Sequence, residues 1–124
     1  MNYPKEYRYT KDHEWAHIQG STVTIGITDH AQSQLGDIVF VDLPAVGRTL
    51  KQGEPFGVVE SIKAVSDLYA PVTGKVTAAN EALKTEPATL NQSPHEKGWL
   101  IKIELTDPMS AEKLLDAAAY EKLL

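Results

Sequence analysis

Between Gly57 and Val76 the chain reads GVVESIKAVSDLYAPVTGKV, and apolar and polar residues alternate on both sides of Lys63. A period of two marks strands with one buried face. The stretch therefore predicts a hairpin whose strands meet at a lysine. No Gly, Asn, Asp or Pro lies between Ser61 and Ser66, although the favoured two-residue hairpin turns need the positive φ that such residues supply. With Lys63 and Ala64 as the loop, Ile62 faces Val65, Ser61 faces Ser66, Glu60 faces Asp67 and Val59 faces Leu68. The apolar residues match, but the turn must be one that ordinary residues tolerate, and two carboxylates oppose each other at some cost. Broken local rules are expected where function intervenes. Most loop lysines only aid solubility. A lysine on a rigid protrusion also suits an enzyme that must find one amine among many, or a side chain that carries cargo.

The remaining segments point to a mostly-β chain. HEWAHIQGSTVTIGIT reads as two short strands joined near QGS, with Val23, Ile25 and Ile27 alternating. TDHAQSQLG reads as one or two helical turns capped by Thr28 or Asp29 and ended by Gly36. DIVFVDLP predicts a buried strand that stops at Pro44, and AVGRTLKQGEP a turn-rich stretch with one short strand. GKVTAAN and GWLIKIEL are further strands, whereas EALKTEPATLNQSPHEKG, with two prolines and few apolar residues, reads as a long surface loop with a helical turn. SAEKLLDAAAYEKLL predicts a terminal helix capped by Ser110, with a stripe of Leu114, Leu115, Ala118 and Leu123 and a possible restart at Asp116. Many short strands with one helical tail imply a sandwich or barrel. PAVGRTL (44–50) and PVTGKVT (71–77) share Pro-x-x-Gly-basic, an echo that a pseudo-twofold sandwich would produce.

Bulk properties narrow the function classes. The 124 residues suggest one domain, 1–124, and 42% hydrophobic with 23% charged residues suits an ordered core. A net charge of -5 argues against nucleic-acid or anionic-membrane binding. No apolar run approaches a membrane span, and MNYPKEYRYTKDHEW lacks the marks of a signal or transit peptide, so the expected location is cytoplasmic. The absence of cysteine excludes disulfides, thiolate metal sites and cysteine nucleophiles. Histidines 13, 17, 30 and 95 show no metal-ligand spacing, and no Ser-His-Asp or phosphate-loop motif is present. Trp15 and Trp99 read as packing residues, and Gly47, Gly53 and Gly74 as turn positions.

VESIKAVSDLYAPVTGKV resembles the attachment hairpin of lipoyl and biotinyl carrier domains. Together with DHEW (12–15), GITDHAQSQLGDIVFVDLP (26–44), LNQSPHEKGW (90–99) and the C-terminal helix, it resembles the H-protein family of the glycine cleavage system from about Tyr9 to Leu124. The resemblance implies a barrel-sandwich hybrid with short helices and a C-terminal helical segment. It also implies lipoic acid joined by an amide to Lys63, the lysine of ES-x-K-A. Ile62 and Ala64 stand where biotin carriers usually have methionine, which favours lipoyl over biotin. Lipoyl domains of 2-oxo acid dehydrogenase complexes are shorter and lack the HEW and NQSP segments.

By that resemblance the chain is a non-catalytic carrier. Its implied partners are a pyridoxal-phosphate-dependent glycine decarboxylase (P-protein), a tetrahydrofolate-dependent aminomethyltransferase (T-protein), a flavin dihydrolipoamide dehydrogenase (L-protein), and a lipoyl ligase or octanoyltransferase. A monomer is the default for a carrier that meets several enzymes. An aminomethyl group bound to sulfur is prone to hydrolysis and its amine is cationic, so carboxylates are expected to line a protecting cleft. The candidates are Glu14, Asp67 and Glu60. Two other classes remain open: a relay that donates lipoyl groups to other enzymes, and an interaction domain without cofactor, against which the intact ESIKA argues. His95 stands where the family often has an aromatic residue, with a possible effect on a partner contact, and the segment before Tyr9 is assigned no function.

Overall fold

The computed structural model describes residues 3–124. The elements in chain order begin with β1 (Arg8–Tyr9), β2 (Glu14–Gln19), β3 (Thr22–Ile27), α1 (Asp29–Leu35), β4 (Ile38–Asp42) and β5 (Thr49–Leu50). They continue with β6 (Pro55–Ser61), β7 (Val65–Tyr69), β8 (Gly74–Ala79), a 3-10 turn (Glu81–Lys84) and α2 (Thr89–Gln92). The chain closes with β9 (Ile101–Leu105), α3 (Pro108–Ala111) and α4 (Ala117–Glu121). One antiparallel sheet has the order β1-β2-β3-β9-β8-β5 and the other β4-β6-β7. This is the expected mostly-β, two-sheet architecture with short helices. No helix among the described residues is long and apolar enough to cross a membrane.

The two sheets share a core because each turns its alternating apolar residues inward. Val23, Ile25 and Ile103 of the larger sheet pack in one cluster with Val41, Val59 and Leu68 of the smaller. Each such side chain, fully buried, contributes about 1.5–3 kcal/mol. A second cluster lies on the opposite side of β2, where Trp15 points away from the core that its neighbour Ala16 enters. There Tyr9 stacks on Tyr120 of α4 at 4.8 Å, and Tyr7 on Trp15 at 4.7 Å. The Trp15 indole donates to the Pro94 carbonyl at 2.9 Å. Trp15 is thus a packing residue, and the aromatic cluster docks both the N-terminal segment and α4 onto β2.

The Pro-x-x-Gly echo has a direct structural counterpart. Its two copies lie side by side: Thr49 pairs with Lys75 and Leu50 with Gly74, and the Gly47 amide donates to the Val76 carbonyl at 2.8 Å. Gly47 and Gly53 have φ of 100° and 86°, as turn glycines should. Gly74 does not. It opens β8 without a positive φ, and a Cβ there would overlap the Glu104 carbonyl oxygen and the Ile103 side chain. Close strand approach, not turn geometry, selects glycine at that position.

Three other expectations need correction. β4 is buried only at Ile38 and Val41; Val39 and Phe40 are both exposed, because a bulge between Ile38 and Phe40 puts two successive residues outside. Residues 81–98 are not a bare surface loop: the 3-10 turn and α2 each bury one leucine, Leu83 and Leu90, completely. The tail is two short helices. Asp107 caps α3 by accepting from the Met109 amide, and Asp116 caps α4 by accepting from the Ala119 amide. Ser110 lies inside α3, where its hydroxyl donates to the Asp107 carbonyl and accepts from the Thr73 amide. The break at Asp116 resets the helical phase, so Ala117 and Tyr120 are buried, Leu114 and Leu115 are half-buried, and Ala118 and Leu123 are exposed.

Candidate functional site

The hairpin forms, but two residues out of the expected register. Val59 pairs with Ser66 and Glu60 with Val65, leaving Ser61 to Ala64 as a four-residue tip. Glu60 and Asp67 are therefore not opposed; Asp67 sits across from Val58. The shift removes the predicted charge repulsion. It also explains the missing turn-formers. Ser61 organises the tip: its hydroxyl accepts from the Lys63 amide at 3.3 Å and the Ala64 amide at 3.1 Å, while its own amide donates to the Ala64 carbonyl at 2.8 Å. A serine hydroxyl that satisfies backbone amides two and three residues on is a recognised turn device. Among the described residues His13 alone combines a side chain beyond glycine with positive φ, so the tip turns without one.

The tip is also held from the side. The Ile62 amide donates to the Asp37 carbonyl at 3.1 Å, next to the Ile38–Ser61 pair. The segment before β4 is fixed in turn by Asn91 of α2. Its Oδ1 accepts from the Ile38 amide at 3.0 Å, and its Nδ2 donates to the Gly36 carbonyl at 2.8 Å and to Gln32 at 3.0 Å. Gly36 ends α1 with φ 77°, and a Cβ there would lie 3.4 Å from Lys63 Cε. The lysine stem thus lies across a glycine. Lys63 itself is exposed, and the ion pairs among the described residues, Arg48–Glu54 and Lys84–Glu81, do not involve it.

Glu14 opens β2 and is 2% exposed. His13 before it adopts φ 69°, and the tight loop is closed by Thr10, whose amide donates to the Glu14 carbonyl at 2.9 Å. The Thr10 hydroxyl accepts from the Glu14 and Asp12 amides and donates to Glu14 Oε1 at 2.6 Å. The Tyr69 amide donates to Oε2 at 3.3 Å. These bonds favour the ionised form, yet burial outweighs them and pushes the carboxyl up to about 7. Glu14 lines a cavity of ≈ 260 Å³ with Thr10, Tyr69, Pro71 and Leu115 among its other walls. A cationic group entering there would meet a carboxylate already stripped of water.

Asp67 and Glu60 lie outside that cavity's lining. Both stand on the outer face of the three-stranded sheet: Glu60 lies opposite Val65, and Asp67 is two residues further along β7, so they are diagonal neighbours at roughly 7–8 Å. Two residues beyond Asp67 on the same strand is Tyr69, whose amide reaches Glu14. β7 thus leads from the lysine tip, past Asp67, to the Glu14 cavity. The structure brings Glu60 and Asp67 together on one face and sets Glu14 apart, at the far end of the strand.

Several supporting residues escape a reading of the sequence. Ser61 is visible as a turn residue only once the register is known. Thr10 stands four residues before Glu14, but nothing in the sequence fixes that loop. Tyr120 lies more than a hundred residues from His13, yet its hydroxyl is 2.7 Å from both His13 Nδ1 and the Thr28 hydroxyl. His95 is half-buried: its Nε2 accepts from the Asp29 amide at 3.1 Å, and its ring packs 5.7 Å from Tyr3. Its ring is thus held against the N-terminal segment and the start of α1, with part of it still exposed.

Known proteins resemble this chain over nearly its whole length. The family model described as "Glycine cleavage H-protein" matches residues 7–124. A glycine cleavage system H protein of Acidobacterium capsulatum is 59% identical over 121 residues, covering 98% of this chain and 93% of that one. One from Anaeromyxobacter sp. (strain K) is 55% identical, covering 98% and 94%. The crystal structure of a glycine cleavage system H protein from Mycobacterium marinum superposes with a TM-score of 0.89 at 42% identity and covers 97% of each chain. With the same fold, a match from Tyr7 to the last residue and more than half of its residues shared with such relatives, the chain belongs to the glycine cleavage H-protein family.

Proposed function

We propose that residues 1–124 form one lipoyl-carrier domain of the glycine cleavage system, with lipoic acid joined to the Lys63 amine. The observation that carries this reading is the mounting of Lys63: exposed and unpaired among the described residues, on a tip tied by Ser61 within the hairpin and by Asp37 from the side. A modifying enzyme, whether a lipoyl ligase or an octanoyltransferase, meets that amine on a tip whose backbone is already held. Once attached, the lipoyl group supplies a thiol–disulfide couple that takes the aminomethyl group of glycine at glycine decarboxylase and yields it at the aminomethyltransferase, with dihydrolipoamide dehydrogenase restoring the disulfide. The chain itself contributes placement and shelter, with no catalytic group.

Glu14 and Asp67 are the proposed shelter. The Glu14 carboxylate, fixed by Thr10 and the Tyr69 amide, accepts a hydrogen bond from a cationic amine brought into the cavity and gains from the pairing, because burial otherwise penalises its charge. Asp67 and Glu60 lie nearer the lysine on the open face, where they attract the same cation along its path.

The test begins with intact mass after expression with lipoate. A lipoyl increment that vanishes in Lys63→Arg is expected; an increment that survives overturns the assignment. Glycine–bicarbonate exchange with glycine decarboxylase then separates this carrier from a pure lipoyl relay, which would be modified without supporting exchange. Glu14→Ala and Asp67→Ala should each speed the spontaneous loss of ammonia and formaldehyde from the loaded chain several-fold. Unchanged decay removes their protective role.

A further inference from the structure

We propose that the open face of the three-stranded sheet beside Lys63 is a docking surface, and that its occupant is an enzyme acting on the lysine's arm, which meets it with an apolar hollow ringed by basic side chains. The proposal rests on the reading of Lys63 as the attachment site but concerns different residues.

The patch is apolar where a carrier has no structural need of it. Val39, Phe40, Ile62 and Val65 are 53%, 48%, 72% and 67% exposed. They make up half of the large apolar residues so exposed among the described residues, the rest being Val46, Met109, Leu123 and Leu124. Scattered exposed apolar residues need no explanation, but neighbouring ones mark a contact surface. Phe40 and Val65 flank Glu60 in one cross-strand row, Val39 is the bulged residue beside Phe40, and Ile62 lies in the tip with its amide bonded to the Asp37 carbonyl. The β4 bulge enlarges the row. In a regular strand one of Val39 and Phe40 would enter the core; the bulge aims both outward while Ile38 and Val41 on either side stay buried.

Charge selects the occupant. The next row of the same face is Asp42, Val58 and Asp67, so carboxylates border the patch at Asp42 and Asp67, while Glu60 stands within it between Phe40 and Val65. Lys63 is the cation of the tip, and amide formation at its amine removes that charge. The modified face is then apolar with an acidic edge, offset in part at Asp42 by the nearby Lys84. An anionic membrane or nucleic acid is repelled by such an edge. A second copy pairing through the same face would set Asp42, Glu60 and Asp67 against their own equivalents. A partner with basic side chains around an apolar hollow satisfies both parts. A carrier that must leave each partner requires a brief contact, one that buries less than about 1,200 Å².

The test compares wild type, Val39→Ser/Phe40→Ser and Asp42→Asn, each with an N-terminal fluorescent label, titrated with glycine decarboxylase at low and high salt. Unmodified and lipoylated forms are both titrated, and intact mass records the state of Lys63. The double variant should bind at least about tenfold more weakly, with an unchanged melting midpoint. Asp42→Asn should bind a few-fold more weakly at low salt and lose part of the salt dependence. If the double variant melts early, Val65→Ser on β7 replaces it. Unchanged affinity in the stably folded apolar variant overturns the docking surface. So does a concentration-dependent dimer in sedimentation that these substitutions abolish, which would assign the face to a second copy. A chain that shows no lipoyl increment but still binds through this patch overturns the attachment reading alone.

Discussion

Glu14→Gln should remove the pH dependence of stability that one buried carboxyl imposes. In the folded chain burial pushes the group up to about 7, against an ordinary value of 4.5. The folded state therefore keeps its proton to higher pH than the unfolded state does. The resulting penalty is absent below pH 4.5, grows as pH rises toward 7 and is complete above it. A gap of roughly 2.5 units at ~1.4 kcal/mol each makes it about 3 kcal/mol. Glutamine removes the titration but loses a hydrogen bond. The Thr10 hydroxyl already accepts two amides and must donate, so the glutamine oxygen takes that bond and its NH₂ faces the Tyr69 amide. The mismatch costs about 1 kcal/mol. The variant should thus be less stable than wild type by about 1 kcal/mol at pH 4.5 and more stable by about 2 kcal/mol at pH 8. His13 and His95 work in the opposite direction: burial holds both below their usual range, so their contribution is full above pH 6.5 and falls as pH drops below it. They are present in both proteins and cancel in the difference. Urea unfolding at half-unit intervals from pH 4.5 to 8 gives that difference directly. A value that stays within ~0.5 kcal/mol across the range would refute the desolvation argument.

Other substitutions probe the mount and the frame. Ser61→Ala removes the acceptor of the Lys63 and Ala64 amides; stability should fall by about 0.5–1 kcal/mol, with faster hydrogen exchange at those amides. Attachment at Lys63 by the cognate ligase should slow several-fold, and an unchanged rate would separate tip order from modification. Gly57→Ala places a Cβ against the Asp42 carbonyl oxygen within the β4–β6 pair. Because that neighbour is backbone, the cost should be about 1–3 kcal/mol, read as a lower melting midpoint. Tyr120→Phe deletes the hydroxyl shared by His13 and Thr28; unfolding free energy should drop by about 1–2 kcal/mol, and a neutral result would mean that the ring stacking with Tyr9 alone holds α4.

Local pattern carried the strands far because alternation is a property of neighbours. Val23, Ile25 and Ile27 were read correctly from spacing, as were the Thr28 cap, one of two candidates, and the Gly36 stop. What failed depended on partners distant in sequence. The hairpin register could not be fixed by matching apolar residues, since the observed one sets Val58 against Asp67, Val59 against Ser66 and Glu60 against Val65. The bond from Ile62 to Asp37 and the work of the Ser61 hydroxyl favour the observed one. Phe40 looked like a core residue because a bulge leaves no mark in composition. At the candidate site Lys63 was legible from its own neighbours, and the family resemblance supplied Glu14. That Glu14 is buried, and therefore titrates near neutrality, depends on the Thr10 loop and on Tyr69, which approach it only in three dimensions.

The bond from Ile62 to Asp37 has one more consequence. A two-stranded hairpin tip frays on its own; this one is stitched to a third strand and, through Asn91, to α2. On the proposed reading, the point from which an arm on Lys63 would swing is therefore fixed in the frame of the molecule. A fixed origin confines the free end of the arm to a shell whose size depends on the arm alone, and a docked active site within that shell experiences an effective concentration on the order of millimolar. For the proposed carrier, successive partners would then reach the cargo from one anchor point, and delivery would need only rotation about the arm's single bonds while the fold stays still.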